Sequence, residues 1–122
     1  MPSARILIAD DEPNILMLTS QILEGAGDTI LKATNGQEAI EMAMSEKPDL
    51  ILLDIRMPFF SGFWFCDAFK QRPQTKNIPV VVISALTGEE DIQKAFRMGA
   101  VGYVKKPFQS EELLETIAKA IA

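Results

Sequence analysis

Cysteine is almost missing from this chain of 122 residues, since Cys66 is the only one. A single cysteine cannot form a disulfide within its own chain, and this favours a reducing compartment such as the cytoplasm. The usual role of a free cysteine is that of a small apolar residue in the core. We therefore expect Cys66 to have a packing role.

Positive charge is scarce as well. The chain has 12 lysines and arginines against 17 aspartates and glutamates, which gives a formal net charge of −5. No basic face is large enough to collect phosphate groups by electrostatic attraction. We expect no direct binding to nucleic acid or to an anionic membrane.

Long apolar runs, repeats and linkers rich in Gly, Ser or Pro are also missing. No apolar run approaches the roughly 20 residues needed to cross a bilayer, and the amino terminus has no signal-peptide pattern. The content of 48% hydrophobic and 24% charged residues is ordinary for a globular protein. We expect a soluble cytoplasmic protein with one domain over residues 1–122.

The most informative stretch that is present runs from Leu50 to Gly62 and reads LILLDIRMPFFSG. Its first residues are apolar without polar alternation, which is typical of a strand buried on both faces of a parallel sheet. Asp54 closes this run. Open α/β sheets bind their ligands at the carboxyl ends of the strands, so we expect Asp54 to lie at a site.

Five short segments with strand character alternate with five helical patterns along the chain. The strands are predicted at Arg5–Ala9, Thr29–Ala33, Leu50–Asp54, Ile78–Ser84 and Gly102–Lys105. Such alternation predicts parallel strands joined by right-handed crossovers, with helices on both faces of the sheet. The fold class is therefore doubly wound α/β, and the more polar second strand is placed at an edge.

Capping signals mark the limits of the helices. Pro13 suits a first helical turn, Asn35 with Glu38 three residues later is a capping pair, and Ser110 is a predicted cap of the last helix. Apolar residues recur at helical spacing at Ile15, Leu18, Ile22 and Leu23 in the first helix, and face inward at Leu113, Leu114, Ile117 and Ile121 in the last.

Polar residues end or directly follow four of the predicted strands: Asp10 and Asp11, Asp54, Ser84, and Lys106. Taken singly, each has an ordinary explanation as a helix-start residue, a loop residue or a surface charge. In a parallel sheet, however, these strand ends meet at one edge. Three crowded carboxylates repel one another unless a cation joins them, and an all-oxygen site of this kind is typical of Mg²⁺.

These motifs resemble the receiver domains of two-component response regulators, a family with a chemotaxis-regulator-like fold. The resemblance covers nearly the whole chain and depends on Asp10-Asp11, Asp54-Ile55-Arg56-Met57-Pro58 with Gly62, Ser84-Ala85, and Tyr103 to Phe108. It implies a flavodoxin-like sheet with strand order 2-1-3-4-5. It also implies that Asp54 accepts a phosphoryl group from the phosphohistidine of a sensor kinase or phosphotransfer protein.

The resemblance implies roles for the other site residues too. Asp11, Asp54 and the backbone carbonyl of Arg56 would hold Mg²⁺, and Asp10 would assist through water. Lys106 would pair with the phosphoryl oxygens, Ser84 would donate a hydrogen bond to them, and the Lys106–Pro107 bond would be cis. Phosphoryl transfer needs mainly an in-line nucleophile and cations, which these residues supply.

A switch is expected at Ser84 and Tyr103, because a phosphoryl group would draw the Ser84 hydroxyl inward and let Tyr103 turn. The alternative for Tyr103 is simple packing on neighbouring side chains. Beyond the self-catalysed phosphorylation and dephosphorylation of Asp54, we expect no enzyme activity.

The chain departs from the family pattern at Phe59-Phe60-Ser61, where small or polar residues are usual. Phe59, Phe60 and Trp64 either pack locally or form an exposed apolar patch for an output domain or a separate partner protein. Ala100-Val101-Gly102 also replaces the paired acids of many DNA-binding regulators, which weakens the case for their dimer.

Two other classes of function stay open. An aspartate-nucleophile phosphohydrolase uses a similar set of groups, but it generally has a second acid where this chain has Arg56, and arginine gives up no proton at neutral pH. A receiver-like module that binds partners without phosphorylation is disfavoured, because the acids, the hydroxyl and the lysine are all present.

Overall fold

The computed structural model describes residues 4–54, 56–57, 60–85 and 88–121, with the backbone alone for residues 56–57 and 60–66. The strands are β1 (Arg5–Ala9), β2 (Thr29–Ala33), β3 (Leu50–Asp54), β4 (Arg56–Met57), β5 (Phe60–Ser61), β6 (Val80–Ser84) and β7 (Gly102–Lys105). The helices are α1 (Pro13–Gly25), α2 (Gly36–Glu46), α3 (Gly62–Gln71), α4 (Glu89–Arg97) and α5 (Ser110–Ile121).

The main sheet is parallel and has the order β2-β1-β3-β6-β7, while β4 and β5 form a separate antiparallel pair. Numbered within the main sheet alone, its strands follow the order 2-1-3-4-5. The predicted doubly wound fold is therefore confirmed, as is the edge position of the second strand. None of the helices in the described ranges is long and apolar enough to cross a membrane.

Two apolar layers cover the sheet, one on each face. On one face, side chains of the strands pack against Ala39 and Ala43 of α2, Phe69 of α3 and Ala95 of α4. On the other, they pack against α1 and α5. Because successive residues of a strand point to opposite faces, strands buried on both sides need apolar residues at every position.

Strand β3 shows this most clearly, since all five of its residues are buried. Ile51 and Leu53 belong to one apolar layer, and Leu50 and Leu52 to the other. β3 pairs with β1 on one side and with β6 on the other. Asp54 ends this central strand and is 2% exposed.

The residues that α1 buries are only in part the ones that its apolar spacing indicates. Leu18 is 48% exposed, whereas the helix buries Leu16, Thr19, Ser20 and Leu23. The hydroxyl of Ser20 donates a 2.6 Å hydrogen bond to the Leu16 carbonyl, so this polar residue can face the core at little cost. The apolar spacing that includes Leu18 therefore does not mark the buried face of α1.

Three element ends also differ from the sequence prediction. Ser110 is the first residue of α5 rather than its cap, and Ile121 at the end of that helix is 41% exposed rather than inward. β6 begins at Val80, because the Ile78 amide bonds to the Thr75 carbonyl in a turn and Pro79 has no N–H to donate. The capping of α2 is confirmed, since Asn35 Oδ1 accepts the Glu38 amide at 2.9 Å.

Thr19 offers a test of packing within α1. Its hydroxyl is buried and has no hydrogen-bond partner among the described residues. A buried unpaired hydroxyl costs about 1–3 kcal/mol, so we expect Thr19→Val to raise the free energy of unfolding by about 1 kcal/mol in urea denaturation. Ser20→Ala on the same face is the control and should lower it, since it loses a hydrogen bond. A stability loss in Thr19→Val would show that the hydroxyl is paired after all.

Candidate functional site

The carboxyl ends of β1, β3, β6 and β7 bring Asp10, Asp54, Ser84 and Lys106 to one edge of the sheet. Lys106 Nζ lies 3.1 Å from Asp10 Oδ2 and 3.2 Å from Asp54 Oδ2. The side chains of these two acids are 1% and 3% exposed, and that of Lys106 is 10% exposed. The structure thus unites residues that lie as far as 96 positions apart in the chain.

Glu12 is a member of this group that the sequence analysis missed. Its Oε1 lies 3.3 Å from Lys106 Nζ, and its side chain is 58% exposed. Carboxylate oxygens of Asp10, Glu12 and Asp54 lie within 4.8 Å of one another, an arrangement that can hold a metal ion. The signal in the sequence is the third acid of the run Asp10-Asp11-Glu12.

Asp11 and Arg56 occupy different positions. Asp11 lines a surface cavity of about 260 Å³ together with Glu12, Asp54, Ala85 and Lys106. It is not one of the three clustered carboxylates. The backbone of Arg56 lies in β4, two residues after Asp54, and its carbonyl stays a predicted ligand.

Burial and charge shift the pKa of two of these groups. The pKa of Asp10 is raised from 3.8 to about 6, chiefly by burial and also by the neighbouring Asp54 charge. The Glu12 amide and Lys106 oppose this increase, because both stabilise the ionised carboxylate. Burial disfavours the charged form of Lys106, but Asp54 and Asp10 outweigh it and raise the pKa of the lysine. Lys106 therefore stays a cation at neutral pH.

Ser84 and Tyr103 are in contact. Ser84 is fully buried at the end of β6, and its side chain shares a hydrogen bond with that of Tyr103. Tyr103 is half-buried on β7 beside Val82 and packs against the apolar layer that contains Val82. Burial raises the pKa of the Tyr103 hydroxyl, and the Ser84 hydrogen bond opposes this effect. The two residues predicted to form a switch therefore touch each other directly.

Two further expectations concern the neighbourhood of the site. The Lys106–Pro107 peptide bond is cis, as the resemblance implied. Phe59 and the side chains of Phe60 and Trp64 lie outside the described part of the chain, so the aromatic patch stays a prediction.

The family model of the response regulator receiver domain matches residues 6–118. The chain belongs to the response regulator receiver domain family. Receiver domains are signalling modules of two-component systems.

Two relatives of this receiver domain differ in how much of their length it matches. It is 39% identical to the protein PilH of Pseudomonas aeruginosa over 119 residues, which cover 98% of both chains. It is 37% identical to the nitrate/nitrite response regulator NarL of Escherichia coli over 121 residues, or 98% of this chain and 55% of NarL. The receiver domain thus spans nearly all of PilH but about half of NarL.

The fold also matches that of solved relatives. The crystal structure of the chemotaxis protein CheY4 of Vibrio cholerae superposes with a TM-score of 0.91 at 33% identity. The match covers 98% of this receiver domain and 99% of CheY4.

Proposed function

We propose that residues 1–122 form one phosphoacceptor receiver domain, in which Asp54 takes a phosphoryl group from the phosphohistidine of a sensor kinase or phosphotransfer protein. The observation that carries this proposal is the position of Asp54. Its carboxylate ends the central strand, lines an open cavity, and lies 3.2 Å from a lysine cation. The inferred location is the cytoplasm.

The transfer follows from the groups at this edge. A carboxylate oxygen of Asp54 attacks the phosphorus, the bond from phosphorus to the imidazole nitrogen breaks, and the imidazole keeps the electron pair. The product is an acyl phosphate on Asp54. Negative charge stays on the equatorial oxygens of the phosphoryl group throughout, and Lys106, which lies 3.2 Å from Asp54, would neutralise part of it. Ser84, which ends the neighbouring strand β6, would donate a hydrogen bond to the product.

The residues at the site fit Mg²⁺. The available side-chain donors are carboxylate oxygens, and the carboxylates of Asp10, Asp11, Glu12 and Asp54 outnumber Lys106. Hard divalent cations prefer such ligands. Asp11, Asp54 and the carbonyl of Arg56 would hold the ion, with Asp10 acting through water. When bound, Mg²⁺ neutralises negative charge on the oxygens of the phosphoryl group.

Intact-mass spectrometry after incubation with acetyl phosphate tests the proposal. With Mg²⁺ we expect a labile gain of one phosphoryl group, and without Mg²⁺ or in Asp54→Asn we expect none. Asp49→Asn is the matched control, because Asp49 precedes the same strand at its opposite end and should leave the gain unchanged. Rapid turnover of a phosphomonoester with no trapped intermediate would instead favour a phosphohydrolase.

Signal output is expected through Ser84 and Tyr103. A phosphoryl group on Asp54 competes with Tyr103 for the Ser84 hydroxyl, so the tyrosine ring should change its surroundings. We expect beryllofluoride, which mimics the phosphoryl group, to shift the ring resonances of Tyr103 by NMR. Those of Phe69, a fully buried core residue, should stay in place. Unchanged Tyr103 resonances in a protein that has bound beryllofluoride would contradict the switch.

A separate protein or an output domain is the expected recipient of that signal. The aromatic residues Phe59, Phe60 and Trp64 are its proposed contact surface. Alanine at Phe59 and Phe60 should weaken partner binding and leave phosphorylation by acetyl phosphate intact.

A further inference from the structure

The side chain of Glu12, the residue that precedes α1, contacts a distant residue rather than its own helix. Glu12 is the N-cap of α1, with an extended backbone at φ −90° and ψ 109°. Side chains at this position ordinarily accept a hydrogen bond from a free amide of the first helical turn. Glu12 makes no such bond, and its carboxylate instead contacts Lys106, which lies 94 residues further along the chain.

The three carboxylates around Lys106 differ in their access to solvent. Asp10 and Asp54 contact the ammonium group from the interior, whereas Glu12 contacts it from the open side. Glu12 and Lys106 both line the cavity that leads to Asp54. An anion that enters the cavity therefore meets Lys106 while Glu12 is bound to it.

We propose that Glu12 is a positioning residue that holds Lys106 at the mouth of the cavity and competes with the incoming phosphoryl oxygens for its ammonium group. This inference rests on the proposed function of Asp54 as phosphoacceptor. Glu12 slows the capture of a phosphoryl group, because its contact with Lys106 must break before the lysine can pair with the new oxygens.

The rate of phosphorylation by acetyl phosphate tests the competition. Glu12→Gln retains the size of the side chain and removes its charge. An exposed ion pair is weak, so we expect the second-order rate constant to increase by about two- to fivefold. Glu24→Gln is the control, since it removes one negative charge from the other end of α1, roughly 18 Å away by helical rise, and should leave the rate constant unchanged.

Glu12→Asp distinguishes an effect of the contact with Lys106 from an effect of the negative charge alone. It keeps the negative charge but is one methylene shorter, so it should lose its reach to Lys106 and behave like Glu12→Gln. If Glu12→Asp reacts at the wild-type rate and Glu12→Gln reacts faster, Glu12 acts by simple repulsion of the donor and the inference is wrong.

Lys106→Met provides a second test. If Glu12 acts through Lys106, Glu12→Gln should give no increase in rate constant in the Lys106→Met background. The same fold-increase in both backgrounds would overturn the inference.

A third measurement needs no phosphoryl donor. Thermal unfolding of the wild type, the two single variants and the double variant, all in chelator, should give midpoint shifts that do not add. In the Lys106→Met background, Glu12→Gln removes only repulsion among the acids. It should therefore raise the unfolding midpoint more in that background than in the wild type, where it also removes the contact with Lys106. Additive shifts would overturn the inference even if Asp54 is phosphorylated. Failure of the wild type to take up a phosphoryl group would contradict the proposed function instead.

Discussion

Replacement of Asp10 with asparagine should raise the free energy of unfolding at neutral pH by about 1–3 kcal/mol when a chelator removes divalent cations. The cause is the burial of a charged group beside Asp54, which the contact with Lys106 offsets only in part. Asp10 is 1% exposed, and burial raises its pKa to about 6. Asparagine retains an oxygen that can accept the Glu12 amide, which donates to Asp10 Oδ1 at 2.9 Å. It therefore removes the charge and keeps the local hydrogen bond.

The effect should depend on pH in a defined direction. The folded protein binds the Asp10 proton more tightly than the unfolded chain does, since the pKa rises on folding. The cost of ionised Asp10 is therefore complete above about pH 6 and disappears as the pH falls toward the ordinary pKa of 3.8. Urea denaturation across this range should show the gain of Asp10→Asn shrinking with acid. Glu24→Gln controls for net charge, and an equal or larger gain at acid pH would contradict burial as the cause.

Replacement of Lys106 with methionine should reduce both stability and phosphorylation. Methionine keeps an unbranched apolar side chain but leaves Asp10 and Asp54 without their lysine partner. Loss of one member of a buried ion pair is costly, and with an open cavity alongside we expect a decrease of about 1–3 kcal/mol in chelator. Loss of a cation aimed at the phosphoryl oxygens should slow phosphorylation by about 10- to 100-fold.

The neighbouring residue supplies a control for Lys106. Lys105 ends β7 and is exposed, so Lys105→Met removes the same charge and should change neither property by much. Stability is measured by urea denaturation in chelator, and phosphorylation by intact mass over time with acetyl phosphate and Mg²⁺. If Lys106→Met is as stable as Lys105→Met and is phosphorylated as fast, Lys106 is not the cation of this site.

The sheet was predictable because its strands are buried on both faces and so contain apolar residues at nearly every position. β3 is the clearest case, since each of its five residues is buried. The buried face of α1 was not predictable from apolar spacing. Ser20 turns inward and satisfies its hydroxyl on the Leu16 carbonyl, and Leu18 is left 48% exposed.

The site was predictable only as a set of strand ends. Parallel pairing brings Asp10, Asp54 and Lys106 together, whatever the loops between them do. The role of Glu12 was hidden, because an acid before Pro13 has a sufficient local explanation and its contact with Lys106 spans 94 residues. The high pKa of Asp10 was hidden for a similar reason, since it depends on burial in the folded protein.

Borohydride reduction identifies the phosphorylated residue most directly, because it converts an aspartyl phosphate into homoserine. The protein would be phosphorylated with acetyl phosphate and Mg²⁺, reduced, digested and sequenced by mass spectrometry. We expect homoserine at position 54 in the wild type and none in Asp54→Asn. Homoserine at Asp10 or Asp11, or a phosphate on Ser84 that survives reduction, would contradict the assignment of Asp54 as the phosphoacceptor.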